Sequence, residues 1–307
     1  MRVSRGLKHS FIMTAIAAGF ITLIPQVHAG PDKTFSQAMK AIENNRPDEI
    51  FAMLPPSYQQ QIDEIVTGFA GKMDMELWQQ GRKIAQKVAG LTTSKRDLMI
   101  EIAMKDREED FDKAELAASI DAFGQMLGMF ANGPISDLQR LRQGKVQDLL
   151  ATEGRKIMQT MEKASKVAPT PQAQEANFWE KARQTKVATE AIEGDNATLK
   201  VTVGKDLVES IEMVKIENRW IPAEWAEDWQ EMFDGAKEGI AAIDFTSPEG
   251  QQKKMQSMMV MGMLNMAVGQ LEQAQTADDL QSALMGLMMM GSMGFGGGGA
   301  PGAPHME

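Results

Sequence analysis

The chain predicts an α+β fold in three successive parts: a predominantly helical N-terminal part, a small antiparallel β-meander packed with helices, and a Met-rich helical hairpin at the C-terminus. Three observations carry this reading. Apolar residues recur at helical spacing from about residue 34 to 166, alternation takes over between Lys186 and Ile221, and 12 of the 26 methionines fall between residues 251 and 307. The corresponding segments are 1–29 as a cleaved leader, 30–166 helical, 172–245 as the α+β meander, 250–292 as the Met-rich helical segment, and 293–307 as a disordered Gly-rich tail.

The leader is read first. Arg2, Arg5 and Lys8 precede an apolar run from Phe11 to Ile24, and Val27-His28-Ala29 supplies small residues before Gly30. A basic head, a short apolar core and a small-residue end are the parts of a secretory signal. The run falls short of the ~20 residues that span a bilayer, so cleavage is expected and no stable membrane span afterwards. The expected location is the periplasm or the secreted fraction.

Removing that leader takes three of the 32 basic residues and none of the 42 acidic ones, which moves the formal charge from −10 to about −13. Such a balance opposes a nucleic-acid backbone or an anionic membrane as partner. The chain has no cysteine, so neither disulfides nor a lipid on cysteine are expected, and its length supports a core without them.

Gly30 to Lys33 reads as a short disordered lead. Asn45-Arg46-Pro47-Asp48 then breaks one helix and Leu54-Pro55-Pro56-Ser57 a second, before a helix with Tyr58, Ile62, Ile65, Val66 and Phe69 on one face. Asp74 is placed to cap the next, whose inward stripe is Leu77, Trp78, Ile84, Ala85 and Val88. From Asp110 to Ala131 the expected inward stripe is Leu116, Ile120, Phe123, Leu127 and Phe130, ended by Asn132-Gly133-Pro134. One more helix, Lys145 to Lys166, turns Val146, Leu149, Leu150, Ile157 and Met161 inward. The tetrapeptide Gly-Arg-Lys-Ile occurs at 81–84 and 154–157; its basic pairs read as a solvated face and the match as coincidence.

After the linker-like Val167 to Pro171, a helix around Glu175 to Arg183 leads into a first strand at Lys186 to Ile192. Gly194-Asp195-Asn196 turns the chain into a strand whose Leu199, Val201 and Val203 share a face, and Gly204-Lys205-Asp206 turns it again. Val208 to Glu217 forms the third strand, and its change of phase between Ile211 with Met213 and Val214 with Ile216 predicts a bulge. Asn218-Arg219 then leads to a short fourth strand at Trp220 and Ile221. Pro222 opens a helix lined by Trp225, Trp229, Met232, Phe233, Ala236 and Ile240, with Glu224, Glu227, Asp228, Glu231, Asp234 and Glu238 mainly on its solvated side.

Helix, meander and following helix, with the segments Ala197 to Val203 and Val214 to Trp220, resemble the sheet portion of the cone-shaped domains of the nuclear transport factor 2 family. The resemblance spans residues 172–240 and implies long crossing helices supplied from before residue 172. That family holds both enzymes and non-catalytic modules, so it leaves the activity open.

No catalytic, cofactor-binding or metal-ligating residue is assigned from the sequence. After the leader the only histidine is His305, in the Gly-rich tail, which provides no oriented base for a serine nucleophile and no His/Cys metal set. The acidic run Glu108, Glu109, Asp110 and Asp112 lacks the glycine and alternating ligands of a calcium loop and suits a helix start. No phosphate loop, dinucleotide fingerprint or nucleophile elbow is present.

The methionines carry the expectation of function. They are interspersed with Val260, Leu264, Leu284 and Leu287, and methionine supplies adaptable apolar surface for partner helices. The sequence therefore points to a non-enzymatic binding or scaffolding protein that uses its apolar C-terminal segment to hold a protein partner or a second copy. The alternative is a module for a small ligand or for soft Cu(I) or Ag(I), which thioethers select.

Overall fold

In the computed structural model, residues 30–105, 113–166, 178–205 and 207–295 are described. The leader, the acidic run 108–112, the linker 167–171, Asp206 and residues 296–307, with His305, lie outside them; residues 293–295, expected to belong to a disordered tail from 293, are instead helical. The described helices and strands follow in chain order: α1 (Pro31–Glu43), α2 (Pro47–Ala52), α3 (Pro56–Lys72), α4 (Met75–Ser94), α5 (Arg96–Lys105), α6 (Lys113–Asn132), α7 (Leu138–Gln143), α8 (Val146–Leu149), α9 (Arg155–Lys166) and α10 (Phe178–Gln184). Four strands come next, β1 (Thr185–Glu193), β2 (Asn196–Val203), β3 (Leu207–Ile216) and β4 (Arg219–Pro222), then α11 (Ala223–Ala241), α12 (Pro248–Gln273) and α13 (Ala277–Phe295). The fold is mostly helical, with one antiparallel sheet in the order β1-β2-β3-β4.

The chain forms two compact units. Among the described residues the first takes 30–74 with Asn132–Asp244, and the second takes Met75–Ala131 with 245–295. The helical stretch 30–166 therefore contributes to both.

In the first unit, prolines open α1, α2 and α3 at the position where a missing N–H costs nothing. Pro31 is fully buried, so the expected lead at Gly30 to Lys33 is instead the start of α1. Asn45, in the left-handed region at φ 52°, reverses the chain between α1 and α2. Its side-chain oxygen accepts from the Trp179 indole at 2.9 Å and its amide donates to Glu162 at 2.6 Å. These bonds join the turn to α10 and α9 beside a core of Ile42, Met158, Trp179 and Ala182. The helix expected over Lys145 to Lys166 is interrupted by one π turn, Leu150–Gly154, between α8 and α9.

The first and last hairpins of the meander use two-residue loops. Gly194 (φ 63°) leads the first, and Glu217 and Asn218 (φ 48° and 63°) form the last, one residue earlier than expected. Ala197, Leu199, Val201, Met213 and Trp220 line one buried face, on which Phe35 of α1 packs.

The register corrects the bulge. β2 pairs with β3 without interruption from Asn196↔Val214 to Val203↔Leu207, and the irregularity falls in β1 between Thr189 and Ala191. β3 is apolar on both faces near its end for a different reason. Met213 faces the core with Ala197, whereas Val214 pairs with Ile221 on the opposite face, where α11 packs against β3 and β4 and Ile221 is buried. On α11, Trp229 and Phe233 are buried and Trp225 packs on Phe51, Leu54 and Val146, but Met232 is exposed, a second correction. Glu227, Asp228, Glu231, Asp234 and Glu238 are exposed as expected.

In the second unit, α4 and α5 meet α12 and α13 around Leu91, Val268, Leu271, Ala274 and Leu280. Helix α6 differs from its expected packing. Its buried positions include Ala117, Gly124 and Ala131, while Phe123 and Phe130 stand about half exposed. The reason is steric. Gly124 lies so close to Thr92 of α4 that a Cβ there would be 1.8 Å from the threonine hydroxyl, an approach that only the small-residue seam of α6 permits.

Candidate functional site: a methionine face on a helical hairpin

Helices α12 and α13 form the hairpin read from the sequence. The Ser247 hydroxyl caps α12 by accepting from the Gly250 N–H at 3.1 Å, and Pro248 takes the first position. A three-residue link, Ala274 to Thr276, reverses the chain. The Thr276 hydroxyl accepts from the Asp279 N–H at 3.1 Å, and the Asp279 carboxylate accepts from Thr276 and Gln275 N–H groups at 3.1 and 3.2 Å. This is a reciprocal cap at the start of α13, and those bonds hold the Asp279 carboxyl below the usual aspartate range.

One side of the hairpin is fixed within its unit. Ala267, Val268, Leu271 and Leu280 are buried, and Lys95 donates to the Ala274 carbonyl at 2.6 Å. Lys254 pairs with Glu76 at 3.2 Å and Lys105 with Asp278 at 2.8 Å.

The opposite side of α12 is methionine. At ~100° per residue, Met255, Met259, Met263 and Met266 fall within about 80° of arc. All four are exposed, as are Met285, Met288 and Met289 on α13, with exposures from 40% at Met263 to 75% at Met288. Met258 and Met261 are half-buried. The stripe shares its arc with Gln252, Gln270 and Gln273, not with a charged side chain.

Phe123 and Phe130 add exposed apolar surface on α6 of the same unit, which the sequence reading had turned inward. A usable signal was present: Ala117, Gly124 and Ala131 recur at seven-residue spacing and mark a close-packing seam beside the larger residues. A groove of about 730 Å³ also opens beside Lys83, Lys87, Asn265 and Glu272, where Lys87 and Glu272 face each other at 3.9 Å.

Among the described residues no group of three or more His, Cys, Asp or Glu is placed to hold a metal ion, and no helix is long and apolar enough to cross a membrane. The Gly-Arg-Lys-Ile segments occupy unlike settings. Arg82 donates to the Ala131 carbonyl at 3.0 Å from within α4, whereas Gly154 ends the π turn and Lys156 pairs with Glu153 at 3.2 Å.

Comparison with protein-family models, with curated proteins and with solved structures finds no match to this chain. These comparisons lend no support to the expected resemblance of residues 172–240 to nuclear transport factor 2 domains.

Proposed function

We propose that this protein acts outside the cytoplasm, periplasmic or secreted, as a non-enzymatic binding or scaffolding protein that associates through the methionine face of α12 and α13. The observation that carries the reading is the exposure of Met255, Met259, Met266, Met285 and Met288, each at least half exposed, on a hairpin whose other side is fixed by Val268, Leu271 and Leu280. Unbranched thioether side chains conform to varied apolar surfaces, and exposed apolar surface of this kind favours association. Phe123 and Phe130 of the same unit extend the apolar supply with ring surface. The leader's composition supports the location.

The test is the absolute mass of the exported protein by light scattering, beside a variant carrying Met255→Gln, Met259→Gln, Met266→Gln and Met288→Gln. Substitution is preferable to deletion, because residues 251–307 also supply Val268, Leu271 and Leu280 to the core. An oligomer that the substitutions convert to a folded monomer supports the reading. An intact protein that is monomeric, with a mass unchanged by the substitutions, overturns self-association through this face.

A further inference from the structure

The α12 stripe has a chemistry that goes beyond apolar contact. Met255, Met259, Met263 and Met266 follow one another at separations of four, four and three residues, so each neighbouring pair stands one helical turn apart. Side chains so spaced have Cβ atoms about 5–6 Å apart, and methionine's three rotatable bonds let neighbouring sulfurs converge on one point. Gly262, between Met259 and Met266 in sequence, adds no side chain beside the stripe.

The geometry points to a thioether site on α12, formed by Met259, Met263 and Met266 with Met255 as a further donor, for a soft monovalent cation, Cu(I) or Ag(I). Thioether sulfur is soft and uncharged, which favours these ions over Ca²⁺, Mg²⁺ or Mn²⁺. The chain has no cysteine, so thioethers are its sulfur donors. Charged ligands are kept away from the arc. The charged residues Lys254 and Glu272 belong to another side of α12, engaged with Glu76 and Lys87 of α4. Since a thioether carries no proton to displace, binding is insensitive to pH where carboxylate or imidazole sites weaken.

The proposal takes the same methionines as the association reading, and leucine separates the two. Met→Leu keeps helix propensity and apolar bulk but removes the sulfur, whereas Met→Gln removes the apolar surface.

The experiment is an anaerobic titration of the full-length exported protein with Cu(I) in competition with bicinchoninate, at pH 7 and pH 5, beside Met259→Leu/Met263→Leu/Met266→Leu. The wild type is expected to withdraw Cu(I) from the chromophore equally at both pH values. The triple variant should bind roughly tenfold or more weakly, with unchanged circular dichroism and unchanged mass. Failure of the wild type to compete overturns the site, and so does a variant that binds as well as wild type, which places the donors elsewhere. Should the variant misfold, Ag(I) titration of wild-type protein labelled with ¹³C-methyl methionine decides the question. Shifts of the Met259, Met263 and Met266 methyls support the site, and unshifted methyls overturn it; Ag(I) and Cu(I) arms together show which ion is held more tightly.

Discussion

The Trp229 indole lies flat on the Tyr58 ring, with centroids 4.1 Å apart and planes within 1°, and its N–H donates to Gln61. This stack joins α11 to α3 within the first unit, next to the cluster of Phe51, Leu54 and Val146.

Tyr58 is the chain's one tyrosine, so its phenol titrates without overlap. Burial, and then the negative charge of Glu217, push its pKa above the ordinary tyrosine value. A group whose folded pKa is raised contributes stability that is complete below the unfolded pKa of about 10 and is lost as pH rises through the folded one. Phenolate absorbance should therefore appear at higher pH in the folded protein than in urea. Trp229→Ala should lower that midpoint toward the unfolded value and cost about 3–5 kcal/mol in urea unfolding. A folded midpoint at or below the unfolded one contradicts this account.

Asn45 combines a left-handed backbone with two side-chain bonds. Asn45→Ala leaves the buried Trp179 N–H without its acceptor and removes the short polar side chain that makes φ 52° tolerable, a combined cost of about 2–4 kcal/mol. Asn45→Gly relieves the backbone alone, so it should recover about 1 kcal/mol of that loss. Equal stability of the two variants would dismiss the backbone contribution. Chemical denaturation monitored by tryptophan fluorescence measures both.

The contact of Gly124 with Thr92 makes a prediction for α6. Gly124→Ala should destabilise by about 1–3 kcal/mol despite alanine's better helix propensity, because the new methyl would overlap the threonine side chain. Combining it with Thr92→Ala removes the hydroxyl and should return part of the loss. Additive thermal shifts in the double variant would show that the two residues are not coupled.

Cleavage of the leader makes a fourth. Intact-mass analysis of the exported protein should give a chain beginning at Gly30, immediately before Pro31 opens α1. A retained leader would remove the basis for an extracytoplasmic soluble form.

Much of the fold is written in local signals. Pro47, Pro56 and Pro222 mark the helix starts, Gly194 marks the first hairpin, and the faces of β2 follow from simple alternation. The last hairpin turns one residue early because Glu217 accepts φ 48° while its carboxylate takes the Ser57 N–H at 3.0 Å, a bond from α3 that no local pattern reveals. The apparent phase change in β3 has the same kind of origin, since α11 covers a face that a lone meander would leave to water.

The candidate site was legible in composition but not in orientation. α12 is apolar on opposing sides, Val268 and Leu271 on one and Met259 and Met266 on the other, so periodicity alone does not say which faces inward. The choice is made by Leu91, Val88 and Leu98, residues far away in the chain. The assignment of Phe123 and Phe130 as inward failed on the same kind of tertiary fact, the approach of Gly124 to Thr92.

The second unit's discontinuity sets an order on biogenesis. Lys95 reaches the Ala274 carbonyl across 179 residues of sequence, and Leu91 waits as long for Val268 and Leu271. While the ribosome is still making the meander, the apolar sides of α4 and α5 have no partner, and closure of so long a loop is slow. This unit cannot close until its last hairpin has been synthesised, so under the export proposed above it stays open during passage through the membrane. Nascent chains stalled before Leu280 should therefore be protease-sensitive throughout residues 75–131, and full-length chains resistant there.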